Sequence, residues 1–281
     1  MTGKTRCVAI IGHPVSHSLS PQMHQAAFRA LEFDFCYIPL DVLSKDLVRA
    51  VRALKLFGFQ GFNVTVPHKE KIVAMMDDLS PEASLIGAVN TVLIQNGKLY
   101  GFNTDGPGFI ESLKKEWRFS PKNKNIVLLG AGGAARAVVT QLCIHRAGSI
   151  AIVNRTSGKS ATLKKQLDKR FPETKISTFS FHDSDLKSLI ARSDLLINAT
   201  SLGLHPGDPS PVPLGHFVRR VKVYDLIYNP PLTPFLKNAK KKGCRILNGS
   251  SMLVYQGALA FKIWTGKMPP VQLMAKAIQL D

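Results

Sequence analysis

One short stretch limits the possible folds of this chain more than any other: the apolar run Ile126-Val127-Leu128-Leu129 passes directly into Gly130-Ala131-Gly132-Gly133-Ala134-Ala135-Arg136. A strand that turns at once into a glycine-rich helix start, in the order G-x-G-x-x-A, is the phosphate-binding turn of a dinucleotide-binding βαβ unit. Each small residue has a mechanical reason. Gly130 permits the tight turn, Gly132 lets the backbone approach a pyrophosphate, and Ala135 allows close packing of helix on strand, with the helix N–H groups aimed at phosphate. The turn at Gly130 and Gly132 is therefore a candidate cofactor contact. The alternative at this point is a glycine turn selected for packing alone.

The following strand, Ile150-Ala151-Ile152-Val153, bears on which dinucleotide is bound. Sites for NAD place Asp or Glu at its end, where the carboxylate holds the ribose 2′-hydroxyl. Here the strand ends in Asn154-Arg155-Thr156-Ser157-Gly158-Lys159, with no acid at the tip. A guanidinium, an ammonium and hydroxyls match a 2′-phosphate, which a carboxylate would repel. Arg155, Thr156 and Lys159 thus point to NADP. A merely exposed basic loop would leave the cofactor preference open.

Around this turn the chain repeats an α/β rhythm. Leu195–Asn198 and Val221–Tyr224 read as further strands of a doubly wound parallel sheet that starts after the polar loop 120–125. Upstream, Val8–Ile11, Pro21–Leu31, Phe35–Leu40, Leu47–Leu56 and Phe62–Val66 read as β-α-β-α-β. Ser20-Pro21 is a helix start with Ser as N-cap, and Asn96-Gly97 is the turn of a hairpin over 93–101. Phe109–Trp117 reads as a linking helix, and Met252–Trp264 and Val271–Ala277 as two more. The expected fold is therefore α/β with two domains: an N-terminal α/β domain, 1–107, completed by helices returning in 249–281, and a Rossmann-type NADP-binding domain, 108–248. A chain of 281 residues accommodates both.

Charge narrows the possible partners. The net charge is +18, yet residues 1–107 hold 10 basic and 9 acidic residues, whereas 108–248 hold 24 and 9. The surplus belongs to the proposed cofactor domain. Its runs are short and carry no interleaved aromatic stripe, which argues against nucleic acid. No stretch reaches the roughly 18 apolar residues of a membrane span, and the apolar run after Lys4 and Arg6 is too short for a signal peptide, so a cytoplasmic protein is expected. Cys7, Cys36, Cys143 and Cys244 are far apart in sequence, which points to buried free thiols and to no metal site. A monomer and a homodimer remain equally open.

Candidate chemistry lies in the first domain. Gly61-Phe62-Asn63-Val64-Thr65-Val66-Pro67-His68-Lys69-Glu70 puts strand polar residues beside a proline break and a lysine. Alternation places Asn63 and Thr65 on one face, and Lys69 could donate or accept a proton, although most lysines are only surface charges. Asn90-Thr91 and Asn103-Thr104-Asp105-Gly106 form further polar clusters. Asp105 either orients Lys69 and a substrate hydroxyl or serves as an N-cap or turn aspartate. His17-Ser18-Leu19-Ser20-Pro21 offers hydroxyls at a helix start, a place suited to an anion.

These stretches in this order, together with Gly87-Ala88-Val89-Asn90-Thr91, Asn198-Ala199-Thr200-Ser201 and Met252-Leu253-Val254-Tyr255-Gln256-Gly257-Ala258, resemble the shikimate dehydrogenase family of aromatic amino-acid biosynthesis over nearly the whole chain. The resemblance implies that Lys69 and Asp105 are the catalytic pair in NADPH-dependent reduction of 3-dehydroshikimate to shikimate. It implies that Ser18 and Ser20 hold the substrate carboxylate with Tyr228 nearby, and that Asn63, Thr65, Asn90, Asp105 and Gln256 bind ring oxygens. It also implies that Gly130, Ala131, Gly132, Gly133 and Ala134 lie at the pyrophosphate, that Asn154, Arg155 and Thr156 lie at the adenosine phosphate, and that Leu226 and Gly249 lie near the nicotinamide. Gly249-Ser250-Ser251-Met252 departs from the Gly-Leu-Gly-Met of many relatives. Two other readings are a quinate/shikimate dehydrogenase of broader specificity and a non-catalytic NADP-binding redox sensor. The sensor would have no need of Lys69, Asp105 and the hydroxyl-binding residues.

Overall fold

A computed structural model describes residues 2–278. The chain divides into two units: one runs to Gly108 and resumes at Leu253, and the other is Phe109–Met252.

The first unit begins with β1 (Arg6–Gly12), α1 (Ser20–Ala30), β2 (Phe35–Asp41), α2 (Leu47–Leu56) and β3 (Gly61–Val64). It continues with β4 (Asp78–Leu79), α3 (Pro81–Ile86), β5 (Thr91–Gln95) and β6 (Lys98–Phe102). The six strands lie in the order β2-β1-β3-β5-β6-β4. β1 is parallel to β2 and β3, while β5 is antiparallel to β3 and β6. The β5–β6 hairpin turns at Asn96 (φ 50°) and Gly97 (φ 70°), the left-handed pair that a two-residue turn matching strand twist requires.

The two parities of β1 separate the core. Val8 and Ile10 pack with Met23, Ala27, Phe28, Val254, Phe261 and Trp264 on one face, and Ala9 and Ile11 pack with Val51, Leu54, Phe62 and Val92 on the other. β2 is an edge strand, yet its free side is blocked. Gln25 Nε2 donates to the Phe35 carbonyl (3.3 Å), Gln25 Oε1 accepts from the Tyr37 N–H (3.4 Å), and Pro39 has no N–H to offer.

Two details differ from expectation. Ser20 is the first helical residue and not the N-cap, and the position before it, Leu19, makes no side-chain cap. The Ser20 N–H instead meets Ser18 Oγ at 3.3 Å. Of the cysteines, Cys143 and Cys244 are buried, but Cys7 and Cys36 are half-buried register partners on β1 and β2, with sulfurs 3.8 Å apart.

The chain passes into the second unit within α4 (Asp105–Trp117). There follow β7 (Asn125–Leu129), α5 (Gly133–Ile144), β8 (Ser149–Val153), α6 (Ser157–Arg170), β9 (Lys175–Phe179) and α7 (Leu186–Arg192). β10 (Leu195–Asn198), β11 (Lys222–Asp225), α8 (Pro234–Lys241) and β12 (Ile246–Leu247) complete it. All strands are parallel, in the order β12-β11-β10-β7-β8-β9. The chain therefore winds outward in one direction from β7 to β9 and in the other from β10 to β12. Between β7 and β10 the order reverses, and in such sheets that is where a dinucleotide binds. Strands buried on both faces read as apolar runs, which is why β7, β8 and β10 were visible in sequence. The chain leaves the unit within α9 (Ser250–Thr265) and ends with α10 (Val271–Ala277), which packs in the first unit through Met274.

Candidate active site

Strand pairing concentrates polar side chains in the first unit. Asn63 on β3 is opposite Thr91 on β5, and Thr91 is opposite Phe102 on β6. The residues flanking those strand ends, Asn90 and Asn103–Asp105, are therefore drawn together. Lys69 arrives on the loop after β3. His68, fully buried, anchors that loop through a ring N–H donated to the Val42 carbonyl at 2.7 Å.

Lys69 Nζ donates to Asp105 Oδ2 at 2.7 Å, with the two side chains 20% and 10% exposed. Asn90 Nδ2 donates to the other carboxylate oxygen at 2.8 Å and to Thr104 Oγ1 at 2.9 Å, while Asn90 Oδ1 accepts from the Thr104 N–H at 2.7 Å. Each Asp105 oxygen thus has its own donor, which fixes the carboxylate plane and the ammonium against it. One ammonium proton is engaged in this ion pair, and two remain for a ligand. Asp105 is the first residue of α4 and is not a simple cap. Its carboxylate is committed to Lys69 and Asn90, while the Gly106 N–H goes to Asn103 Oδ1 at 3.4 Å.

Gln256, 8% exposed, joins this cluster from α9: its Oε1 is 3.4 Å from Asn90 Nδ2 and its Nε2 donates to the Leu253 carbonyl at 2.8 Å. Asn63 is buried, and both of its amide protons are engaged, with the Asn90 carbonyl (3.1 Å) and Thr91 Oγ1 (3.0 Å). Its Oδ1 accepts from the Tyr37 hydroxyl at 2.7 Å. Thr65 lies just beyond β3 and is half-buried, its N–H bonded to the Ile11 carbonyl at 2.9 Å. Ser20 is buried and Ser18 half-buried at the start of α1.

In the second unit, Gly130 has φ +107°, and a Cβ there would lie 2.9 Å from the Ala199 carbonyl oxygen, so only glycine fits. Gly132 precedes α5 with no side-chain cap and nothing within 4 Å of where its Cβ would stand. The helix N-terminus is therefore open to an anion. Asn154 is half-buried at the β8 tip and donates to the Thr156 carbonyl at 2.8 Å, while Arg155, Thr156 and Lys159 are exposed. This open glycine cradle, flanked by exposed cations and by no acid, fits a phosphorylated dinucleotide.

Beyond β10 and β11, fully buried Asp225 accepts from Asn198 Nδ2 (3.0 Å), the Ile227 N–H (3.1 Å) and Thr233 Oγ1 (2.6 Å). Burial outweighs these donors and pushes its carboxyl up to about 6. The network holds the segment carrying Leu226, whose N–H donates to the Asn198 carbonyl at 2.9 Å. Gly249 belongs to this second unit: its N–H donates to the Ile227 carbonyl at 3.1 Å, and a Cβ would clash with the Leu226 carbonyl. Tyr228 lies in the same segment of the second unit, and burial pushes its phenol up.

Sequence reasoning did not single out Thr104, His68, Tyr37 or Asp225. Thr104 had a signal, since it adjoins Asp105. The others look like ordinary core residues until the strands are paired. Among the described residues, no group of three or more His, Cys, Asp or Glu could hold a metal ion, and no helix is long and apolar enough to cross a membrane.

A Rossmann-type sheet with this glycine turn, together with an α/β unit bearing a fixed lysine–aspartate pair, defines a two-domain nicotinamide-dependent oxidoreductase. Residues 10–92 match the shikimate dehydrogenase substrate binding domain, 112–204 the shikimate/quinate 5-dehydrogenase family, and 249–279 the shikimate 5′-dehydrogenase C-terminal domain. The chain is 43% identical to the shikimate dehydrogenase (NADP(+)) of Methanopyrus kandleri over 98% of its length and 95% of that protein's. It is 44% identical to that of Carboxydothermus hydrogenoformans over 100% and 99%. A crystal structure of a shikimate dehydrogenase in complex with NADP+ superposes with a TM-score of 0.92 at 41% identity, covering 99% of this chain and 96% of the other. The chain belongs to the shikimate dehydrogenase family.

Proposed function

We propose that this chain catalyses the reversible, NADPH-dependent reduction of 3-dehydroshikimate to shikimate, with the first unit as the substrate-binding domain and the second as the NADP-binding domain. The observation that carries this reading is the Lys69–Asp105 ion pair at 2.7 Å, fixed by Asn90 and set among amide and hydroxyl groups.

When bound, the dinucleotide supplies the hydride to the carbonyl carbon. Lys69 Nζ delivers the proton to the carbonyl oxygen, so that C=O becomes CH–OH, and in the oxidation direction it takes the proton back. Asp105 keeps the ammonium oriented and accepts from a ring hydroxyl. Ser18 and Ser20 bind the carboxylate, with Tyr228 as a further contact. Asn63, Thr65, Asn90 and Gln256 contact the ring oxygens. A polyhydroxy acid suits such a lining, because a ligand lacking one of these groups would strand a buried partner at about 1–3 kcal/mol.

Gly130, Ala131, Gly132, Gly133 and Ala134 would hold the pyrophosphate, Asn154, Arg155, Thr156 and Lys159 the adenosine 2′-phosphate, and Leu226 and Gly249 the nicotinamide. Initial rates of reduced-nicotinamide formation test the proposal, with shikimate or quinate each paired with NADP or NAD. Turnover is expected with shikimate and NADP. No turnover with that pair would overturn the assignment, and equal use of quinate would make this a broader quinate/shikimate enzyme.

A further inference from the structure

Cys7 and Cys36 take no part in the chemistry above, yet the parallel pairing of β1 with β2 makes them register partners. Side chains of register partners point to the same face of a sheet, and adjacent strands are about 4.8 Å apart, within the Cα separations that a disulfide spans. The two sulfurs lie 3.8 Å apart. Drawing them to a bond of about 2.05 Å moves each by about 0.9 Å, which rotation of the side chains supplies with both strands in place.

The backbone on either side is held. β1 lies between β2 and β3, and the Cys7 carbonyl accepts from the Gln60 N–H at 2.8 Å. On β2, Gln25 brackets Cys36 through its bonds to the Phe35 carbonyl and the Tyr37 N–H. The dithiol is therefore preorganised. Both cysteines keep some exposure to solvent, whereas Cys143 and Cys244 are buried. Burial, and after it the adjacent Cys7 thiol, push Cys36 up to about 11, so the first attack on an oxidant falls to Cys7 and Cys36 follows as the resolving thiol. The pair also lies toward the N-terminal ends of its strands, while Ser18 and Ser20 follow the C-terminal end of β1, and Thr65 and Lys69 that of β3.

We propose that Cys7 and Cys36 form a modification site, a dithiol that a low-molecular-weight disulfide converts to an intrachain disulfide, so that β1 is stapled to β2 around α1. First the Cys7 thiolate attacks one sulfur of the reagent. A mixed disulfide forms, and the other half of the reagent leaves as a thiolate and takes up the proton that Cys7 released. The Cys36 sulfur then gives up its proton and attacks Cys7 Sγ. The bond from Cys7 to the reagent breaks, and the second half leaves and is protonated. Two protein thiols are thereby oxidised, and one disulfide is reduced to two thiols. The bridge closes residues 7–36 into a loop, and the freedom this removes from the unfolded chain lowers the unfolding constant about 10²- to 10³-fold. None of this depends on the activity proposed above.

The test is incubation of the folded chain with glutathione disulfide, followed by intact-mass measurement, peptide mapping and urea unfolding. The chain should lose two hydrogen atoms, with the peptides carrying Cys7 and Cys36 linked to each other. The first unit, followed by Trp264 fluorescence in a Trp117→Phe background, should unfold with a constant about 10²- to 10³-fold smaller than in the reduced chain. A phosphine reductant should reverse both changes. Cys36→Ser should stop at a mixed disulfide on Cys7, and neither it nor Cys7→Ser should gain stability from the oxidant. A mixed disulfide that persists on the wild-type chain, Cys7 and Cys36 left as thiols, or a link between other cysteines would overturn the proposal. So would an oxidised chain no more stable than the reduced one. Should a serine variant not fold, the mass and the linkage of the wild-type chain decide, since both are read without any substitution.

Discussion

His24 is fully buried, stacked on Tyr37 and 5.3 Å from the Trp264 ring, and among the described residues neither ring nitrogen has a hydrogen-bond partner. Burial pushes its pKa from 6.5 down to about 3. The unfolded chain accepts a proton near pH 6.5 that the folded chain refuses, so folding stability falls as pH drops below 6.5 and levels off only near pH 3. From pH 7 to pH 5 this one group costs about 2 kcal/mol. His24→Leu keeps a similar volume and removes the group. Because the chain has two tryptophans, a Trp117→Phe background leaves Trp264 as the reporter of the first unit, buried with its indole N–H donating to the Val92 carbonyl at 3.0 Å. Urea unfolding followed by Trp264 fluorescence at pH 7 and pH 5 should show the parent losing about 2 kcal/mol more than His24→Leu. Equal losses in the two proteins would show that His24 is not the acid-sensitive group and that the burial argument fails.

Three other outcomes are expected. Lys69→Ala should lower kcat by about 10²- to 10⁴-fold with a smaller change in shikimate KM, because the proton moves only in the transition state; an unaltered kcat in steady-state assays would remove Lys69 from the mechanism. Arg155→Asp should raise the KM for NADP far more than that for NAD, and equal changes would show that Arg155 does not read the 2′-phosphate. Asp225 carries a folded pKa raised to about 6, so its contribution to stability is present at low pH and is lost as pH rises through 6, the reverse of His24. Relative to Asp225→Asn, the wild-type chain should lose about 2 kcal/mol between pH 4 and pH 7, read from Trp117 fluorescence in a Trp264→Phe background, and a constant difference would contradict the assignment.

The sequence announced most clearly those elements whose pattern is local. β7 and the glycine turn were legible because a doubly buried strand is a run of apolar residues and because Gly130 alone tolerates its backbone angle so close to Ala199. Asn96-Gly97 marked its hairpin for the same kind of reason. Short or weakly patterned elements escaped notice, as with β4, β9 and β12. The serine before Pro21 looked like a cap, but it is the first residue of the helix, one place beyond the cap position.

By itself, then, the sequence determined two α/β halves, a phosphate-binding turn, a β8 tip that suits NADP, and which polar residues were worth watching, since each follows from neighbours a few positions apart. Only the tertiary structure decided which of them meet. Lys69 and Asp105 are 36 positions apart and touch at 2.7 Å because the β3–β5–β6 pairing brings their strand ends together. Register likewise set Cys7 beside Cys36, buried His24 against Tyr37, and left Asn63 almost without spare hydrogen bonds. A side chain's chemistry depends on what removes it from water and what it can bond to, and those neighbours are chosen by strand order and packing, across distances along the chain that no local pattern records.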